Sequence, residues 1–109
     1  MLTPLTFQIL LALADADRHG YGIIKEIEER LGEGSAPSTG ALYLALQRME
    51  AEGLIGEASG RPRRGDDPRR RYYRITAAGR RAAEVESARL AVLVRLAKRK
   101  KLLSGEVWS

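Results

Sequence analysis

The sequence predicts a mainly α-helical chain with one small β-hairpin, and three features of its 109 residues carry that expectation. Apolar side chains return at the helical period in four separate stretches. Two short runs, residues 54–59 and 69–75, flank a tip crowded with glycine, proline and aspartate. The fourth helical stretch stays apolar for longer than the core of so small a chain can cover.

The first helix is expected from Pro4 to about Ala14. Thr3 is placed to cap it, and Pro4 suits the first helical position, where no amide hydrogen is required. Phe7, Leu10, Leu11 and Ala14 form one apolar stripe, and Leu5, Ile9 and Leu13 form a second on another side. A helix that is apolar nearly all round must be buried from more than one direction, which here implies a partner chain. Asp15 to Arg18 breaks the pattern, and His19-Gly20-Tyr21-Gly22 reads as the turn that opens the second helix. In that helix Ile23, Ile24, Ile27 and Leu31 face inward, and Gly32 is its stop signal.

The third helix starts at Ser38 or Thr39, just after Pro37, and runs to Glu52 with Leu42, Leu46 and Met49 as its core stripe. In the second strand Arg71, Tyr73 and Ile75 share one face, and Tyr72 and Arg74 share the other. Thr76 caps the long fourth helix, where Ala78, Ala82, Val85, Arg89, Val92 and Leu96 line one face. Two helices with a short connection, followed by a hairpin, make a winged helix-turn-helix unit over residues 1–75, with residues 76–109 as a C-terminal dimerisation helix. The dimer interface is expected at Leu5 and Ile9 of the first helix and at Val85, Arg89, Leu90, Val92, Leu93 and Leu96 of the fourth.

Composition narrows the chemistry. The chain has no cysteine, so disulfides, thiolate metal sites and cysteine nucleophiles are excluded. Its single histidine, His19, reads as a capping or packing residue, and no metal or cofactor site is expected. No phosphate-binding glycine loop or nucleophile elbow is present, which leaves an enzyme without residues to work with. The apolar run from Met1 to Ala14 has no basic flank or cleavage site and is shorter than the roughly 20 residues that span a bilayer. A cytoplasmic protein with no membrane partner is the expectation.

Charge points to nucleic acid. Nineteen Lys and Arg oppose fourteen Asp and Glu, a net +5. Seven arginines and two aspartates lie between Arg61 and Arg74, so this one segment carries as much net charge as the whole chain. Arginine suits phosphate contact because its guanidinium is planar, always charged and rich in donors. Arg61, Arg63, Arg64, Arg69 and Arg71 are therefore candidate DNA contacts. On the third helix, the side opposite the core stripe carries Gly40, Tyr43, Leu44 and Gln47. Its small residues allow close approach, Gln47 can read an adenine edge, and Leu44 can meet a thymine methyl or lie at the edge of the core. Ser38 and Thr39 offer hydroxyl and amide groups to a phosphate at the helix N-terminus, alongside a capping role.

The order of these motifs resembles the PadR family of bacterial transcription regulators. The likeness is carried by His19-Gly20-Tyr21-Gly22-Ile23, by Ser38-Thr39-Gly40-Ala41-Leu42-Tyr43 with Leu46 and Arg48-Met49-Glu50, and by Glu52-Gly53-Leu54-Ile55. Arg71-Tyr72-Tyr73-Arg74-Ile75-Thr76 with Gly79-Arg80 complete it. The resemblance implies a homodimer that binds double-stranded operator DNA and represses transcription until a small hydrophobic or aromatic effector binds. It also implies that Ser38, Thr39, Tyr43 and the hairpin arginines contact DNA. The sequence departs from the family pattern at Leu44, where a polar residue, glycine or proline is common, and in its short C-terminal region. Two rival readings stay open: a winged-helix module that binds an acidic protein, and a small-molecule sensor with its pocket at the dimer interface.

Overall fold

The structure, a computed structural model, describes residues 2–58 and 70–104. Its elements run α1 (Pro4–Leu13), β1 (Arg18–His19), α2 (Gly20–Leu31), α3 (Thr39–Ala51), β2 (Ile55–Glu57), β3 (Tyr72–Ile75) and α4 (Ala77–Arg99). The three strands form one antiparallel sheet in the order β1-β3-β2. Helices α2 and α3 with the β2–β3 pair have the winged helix-turn-helix arrangement, and the described chain is mainly helical. No described helix is long and apolar enough to cross a membrane.

Each helix begins where a side chain satisfies a free first-turn amide. Thr3 accepts from the Thr6 N–H at 3.1 Å, Ser38 from Ala41 at 3.1 Å, and Thr76 from Gly79 at 3.0 Å. His19 does the same for α2, its Nδ1 accepting from the Gly22 N–H at 3.0 Å. Residues 20–22 are therefore the first turn of α2 and not a separate turn. Arg18 and His19 also pair with Tyr73 and Tyr72, a two-residue strand too short to show any alternation in sequence.

The core joins α1, α2, α3 and the sheet through Ile9, Leu10, Leu13, Ile23, Ile27, Leu42, Leu46, Met49, Ile55 and Tyr73. Four neighbours, α2, α3, α4 and β3, close over one arc of α1. That arc takes Ile9 and Leu13 from one expected stripe and Leu10 from the other. Ile9 is 0% exposed within its own chain, which corrects the expectation that it faces a partner. Leu5 is half-buried against the same core. The apolar side that α1 leaves open carries Leu11, 52% exposed, beside the half-buried Phe7.

Helix α4 is fixed at its start by the chain that ends α3. The Thr76 hydroxyl reaches the carbonyls of Gly53 at 2.6 Å and Leu54 at 2.9 Å, and the Thr76 N–H donates to Leu54 at 3.1 Å. Gly79 lies so close that a Cβ there would sit 2.0 Å from the Leu54 carbonyl oxygen. The inward side of α4 then carries Gly79, Ala83, Glu86 and Leu90, spaced to share one helical face. Glu86 is buried, and Arg89 donates to it from the next turn at 3.1 Å. That hydrogen bond holds the Glu86 carboxyl below its usual value, against a desolvation that pushes it up.

Gly79→Ala puts a methyl group against backbone that cannot swing aside. We expect a loss of roughly 2–3 kcal/mol of folding stability, read as a fall of about 10 °C in the thermal unfolding midpoint. A midpoint within a degree or two of the parent chain would show that α4 does not pack on Leu54 this closely.

Candidate nucleic-acid interface

Helix α3 has two unlike sides because its buried stripe is complete. Leu42, Ala45, Leu46 and Met49 are all buried, which forces Gly40, Tyr43, Leu44, Gln47 and Ala51 outward. Leu44 is 68% exposed, so it belongs to the outer face and not to the edge of the core. A Cβ on Gly40 would meet nothing within 4 Å, leaving this part of the helix low and open. Ser38 and Thr39 are exposed at its N-terminal end, with the Ser38 hydroxyl engaged as cap. The first turn holds no acidic residue, so the partial positive charge at that end is not neutralised locally. The side chains Gly40, Tyr43, Leu44, Gln47 and Ala51 on this face carry no charge, and a major groove admits a helix.

The wing starts beside this face. Strand β2 pairs with β3 in the register Ile55↔Ile75, Gly56↔Arg74 and Glu57↔Tyr73. The connecting tip, with Arg61, Arg63, Arg64 and Arg69, lies outside the described residues. Arg71 is described, and its charge is taken up by carboxylates: Nη2 donates to Glu50 on α3 at 2.9 Å and to Glu57 on β2 at 3.3 Å. Its guanidinium also lies over the Tyr73 ring, 5.3 Å from the centroid. Arg71 was expected among the DNA contacts; in this arrangement it braces the wing against α3. Burial pushes the Tyr73 phenol above its usual value while Arg71 opposes that shift, and the ring stays neutral at physiological pH.

Between α2, α3 and β3 is an open recess of about 400 Å³. Tyr43 reaches into it from α3, lying across the start of α2; a Cβ on Gly20 would come within 2.3 Å of its hydroxyl oxygen. Tyr21 and Arg70 line the other sides, with the Arg70 guanidinium 5.8 Å from the Tyr21 ring centroid and Nη1 3.1 Å from His19 Nε2. Sequence reasoning singled out neither Tyr21 nor Arg70 as a site residue. The signal available was their place beside His19 and Tyr43, which only the β1–β3 pairing brings together.

The expected dimer residues of α4 fall into two groups. Val85, Val92, Leu93 and Leu96 are exposed on neighbouring sides of the helix, a row of apolar side chains left largely open to solvent. Leu90 is half-buried on the inward side, and Arg89 is turned back onto Glu86. Leu11 of α1 adds to the uncovered apolar surface at the mouth of a groove between α1 and α2. Among the described residues there is no group of three side chains fit to hold a metal ion.

Residues 9–85 match the sequence profile of the transcriptional regulator PadR-like family. The chain is 40% identical over 85 residues to a 37.1 kDa protein in transposon TN4556 of Streptomyces fradiae. That match takes in 78% of this chain but only 22% of that protein, so the chain spans about a fifth of this relative's length. A PadR family transcription regulator from hypervirulent Clostridium difficile superposes with a TM-score of 0.75 at 26% identity, over 89% of this chain and 97% of its own. Bacillus subtilis PadR, solved in complex with operator DNA, superposes with a TM-score of 0.63 at 23% identity. That likeness covers 75% of this chain and 45% of the other, and it concerns the fold.

The brace at Arg71 has a measurable signature. In a double-mutant cycle with Glu50→Gln and Arg71→Ala, denaturant unfolding should return a coupling of roughly 0.5–1 kcal/mol, modest because the pair is half open to solvent. A coupling of zero would mean that the ion pair does not hold wing and helix together.

Proposed function

Because the chain belongs to the PadR-like family of transcriptional regulators, we propose that it acts as a homodimeric repressor that binds a pseudo-palindromic operator and is released by a small hydrophobic or aromatic molecule. Membership makes it a transcription regulator and not an enzyme. The observation that carries the operator-binding reading is the outer face of α3, small at Gly40 and Ala51 and chemically able to read bases at Leu44 and Gln47. In this reading each α3 enters a major groove, Ser38 and Thr39 meet a phosphate at its N-terminal end, and Tyr43 meets the backbone. Arg61, Arg63, Arg64 and Arg69 hold the flanking phosphates or minor groove. Bacillus subtilis PadR, which shares the fold, was solved in complex with operator DNA, and this supports duplex DNA as the partner.

Dimerisation through residues 76–109 is supported by the uncovered row Val85, Val92, Leu93 and Leu96. Leaving so much apolar surface in water is costly at about 25 cal/mol per Å², and a second copy is the economical cover. Release by a small molecule is supported by the groove between α1 and α2, about 360 Å³ and lined by Leu11, Ala12, Ile27 and Leu31. That volume falls within the range of small-ligand sites.

Two measurements test the proposal. Replacing Arg61, Arg63, Arg64 and Arg69 with Ala should weaken binding to every duplex and flatten its salt dependence by about 0.9 per lost phosphate contact. Gln47→Ala should instead shift which sequences are preferred, at a cost of about 1–3 kcal/mol on the favoured site. Fluorescence anisotropy over a salt series and a site library separates the two; an unchanged slope in the first, or an unchanged profile in the second, removes that residue set from the interface. For the dimer, Leu96→Asp should leave the fold intact, because the side chain lies outside the core, and should convert the species seen in sedimentation to a monomer. A parent chain that sediments as a monomer at micromolar concentration would refute the dimer.

A further inference from the structure

We propose that the recess between α2, α3 and β3 seats one backbone phosphate of the bound duplex, with Arg70 as its charge partner and the Tyr21 and Tyr43 hydroxyls as further donors. The inference rests on the DNA-binding reading above and adds Arg70 and Tyr21, which that reading does not use, beside Tyr43.

Three observations carry it. First, Arg70 lines the recess as a cation that no described carboxylate pairs with. Its neighbour Arg71 is held by Glu50 and Glu57, whereas no ion pair with a described carboxylate engages Arg70. Second, the walls present donors. His19 Nδ1 accepts from the Gly22 N–H, which in the neutral ring leaves the proton on Nε2; Nε2 and Arg70 Nη1, 3.1 Å apart, are then two donors side by side, an arrangement that a shared acceptor relieves. Tyrosines line two other sides, and among the described residues no carboxylate lines the recess. A phosphate oxygen accepts from such a set; a neutral sugar or base edge needs acceptors as well. Third, the parts are held in place. The Arg70 guanidinium lies over the Tyr21 ring, and Gly20 alone gives the Tyr43 phenol room to cross the start of α2.

Position selects the duplex as the source of the phosphate. The recess lies between the outer face of α3 and the root of the wing, on the line that a backbone strand follows when the helix sits in a groove and the wing flanks it. The recess is open to solvent, so a phosphodiester can pass across it.

The test uses the full chain and its selected duplex, with single phosphates replaced one at a time by neutral methylphosphonates. At one position in each half-site, the replacement should weaken the parent chain roughly tenfold and leave Arg70→Ala unaffected. Arg70→Ala should also flatten the salt dependence by about 0.9 per protomer, while Arg70→Lys keeps it. Tyr21→Phe should show a smaller loss at that same position, and Gly20→Ala should mimic it by displacing Tyr43 without any change in charge. If Arg70→Ala and the parent chain respond alike at every phosphate, the seat is refuted and the DNA-binding reading stands. If the parent chain prefers no duplex at all, both fall.

Discussion

The first turn of α4 lies against the Leu54 carbonyl with room for only a hydrogen at residue 79. Around that contact Thr76 ties its hydroxyl and its amide to the chain leaving α3, and the same hydroxyl caps α4. The end of the third helix, the root of the wing and the start of the long helix are thereby one joint. Because β3 runs directly into Thr76, the angle between wing and α3 is set at this joint, and so is the direction in which α4 leaves the core. A rigid joint matters for a reader of nucleic acid, since phosphate contacts specify register only when their supports do not move.

Charge is arranged around the joint with some care. Carboxylates are absent from the first turns of α2 and α3, where they would neutralise the helix ends. They appear instead where they restrain arginines: Glu50 and Glu57 on Arg71, Glu26 on Arg18 and Arg30, Glu86 on Arg89. Among the described arginines Arg18, Arg30, Arg71 and Arg89 are paired in this way, and Arg70, at the edge of the recess, is one of those that no described carboxylate pairs with. The net +5 of residues 61–74 belongs to the stretch of sequence between Glu57 and Ile75, apart in sequence from the outer face of α3. In the proposed reading, that division leaves long-range attraction to the arginines and base discrimination to the helix.

Much of this was legible in the chain itself. Helix caps at Thr3, Ser38 and Thr76 obey local rules that need no tertiary information, and all three act as caps. The buried stripe of α3 followed from spacing alone, and with it the composition of the opposite face. What escaped depends on contacts distant in sequence. Strand β1 is two residues long and exists only because β3 offers it an edge. Ile9 and Leu11 are both apolar residues of one helix, and only the joint packing of α2, α3, α4 and β3 decides that Ile9 is buried and Leu11 open. Arg71 reads as a free cation until Glu50, 21 residues earlier, is brought to it. Spacing and turn residues supplied the order of helices and hairpin, and the likeness to a family added the expected partners; the recess at Arg70 depends on the β1–β3 pairing that brings His19 and Tyr21 to the wing.

The central claim is that two copies of the α3 face, set by this joint, read one operator. It is tested most directly by sequencing the duplexes that the purified chain selects from a random pool and footprinting the best of them. The account predicts a pseudo-palindrome whose halves are protected about one helical turn, roughly 34 Å, or a multiple of it apart. A pool that is not enriched, or an enriched site with a single unrepeated patch of protection, would contradict it.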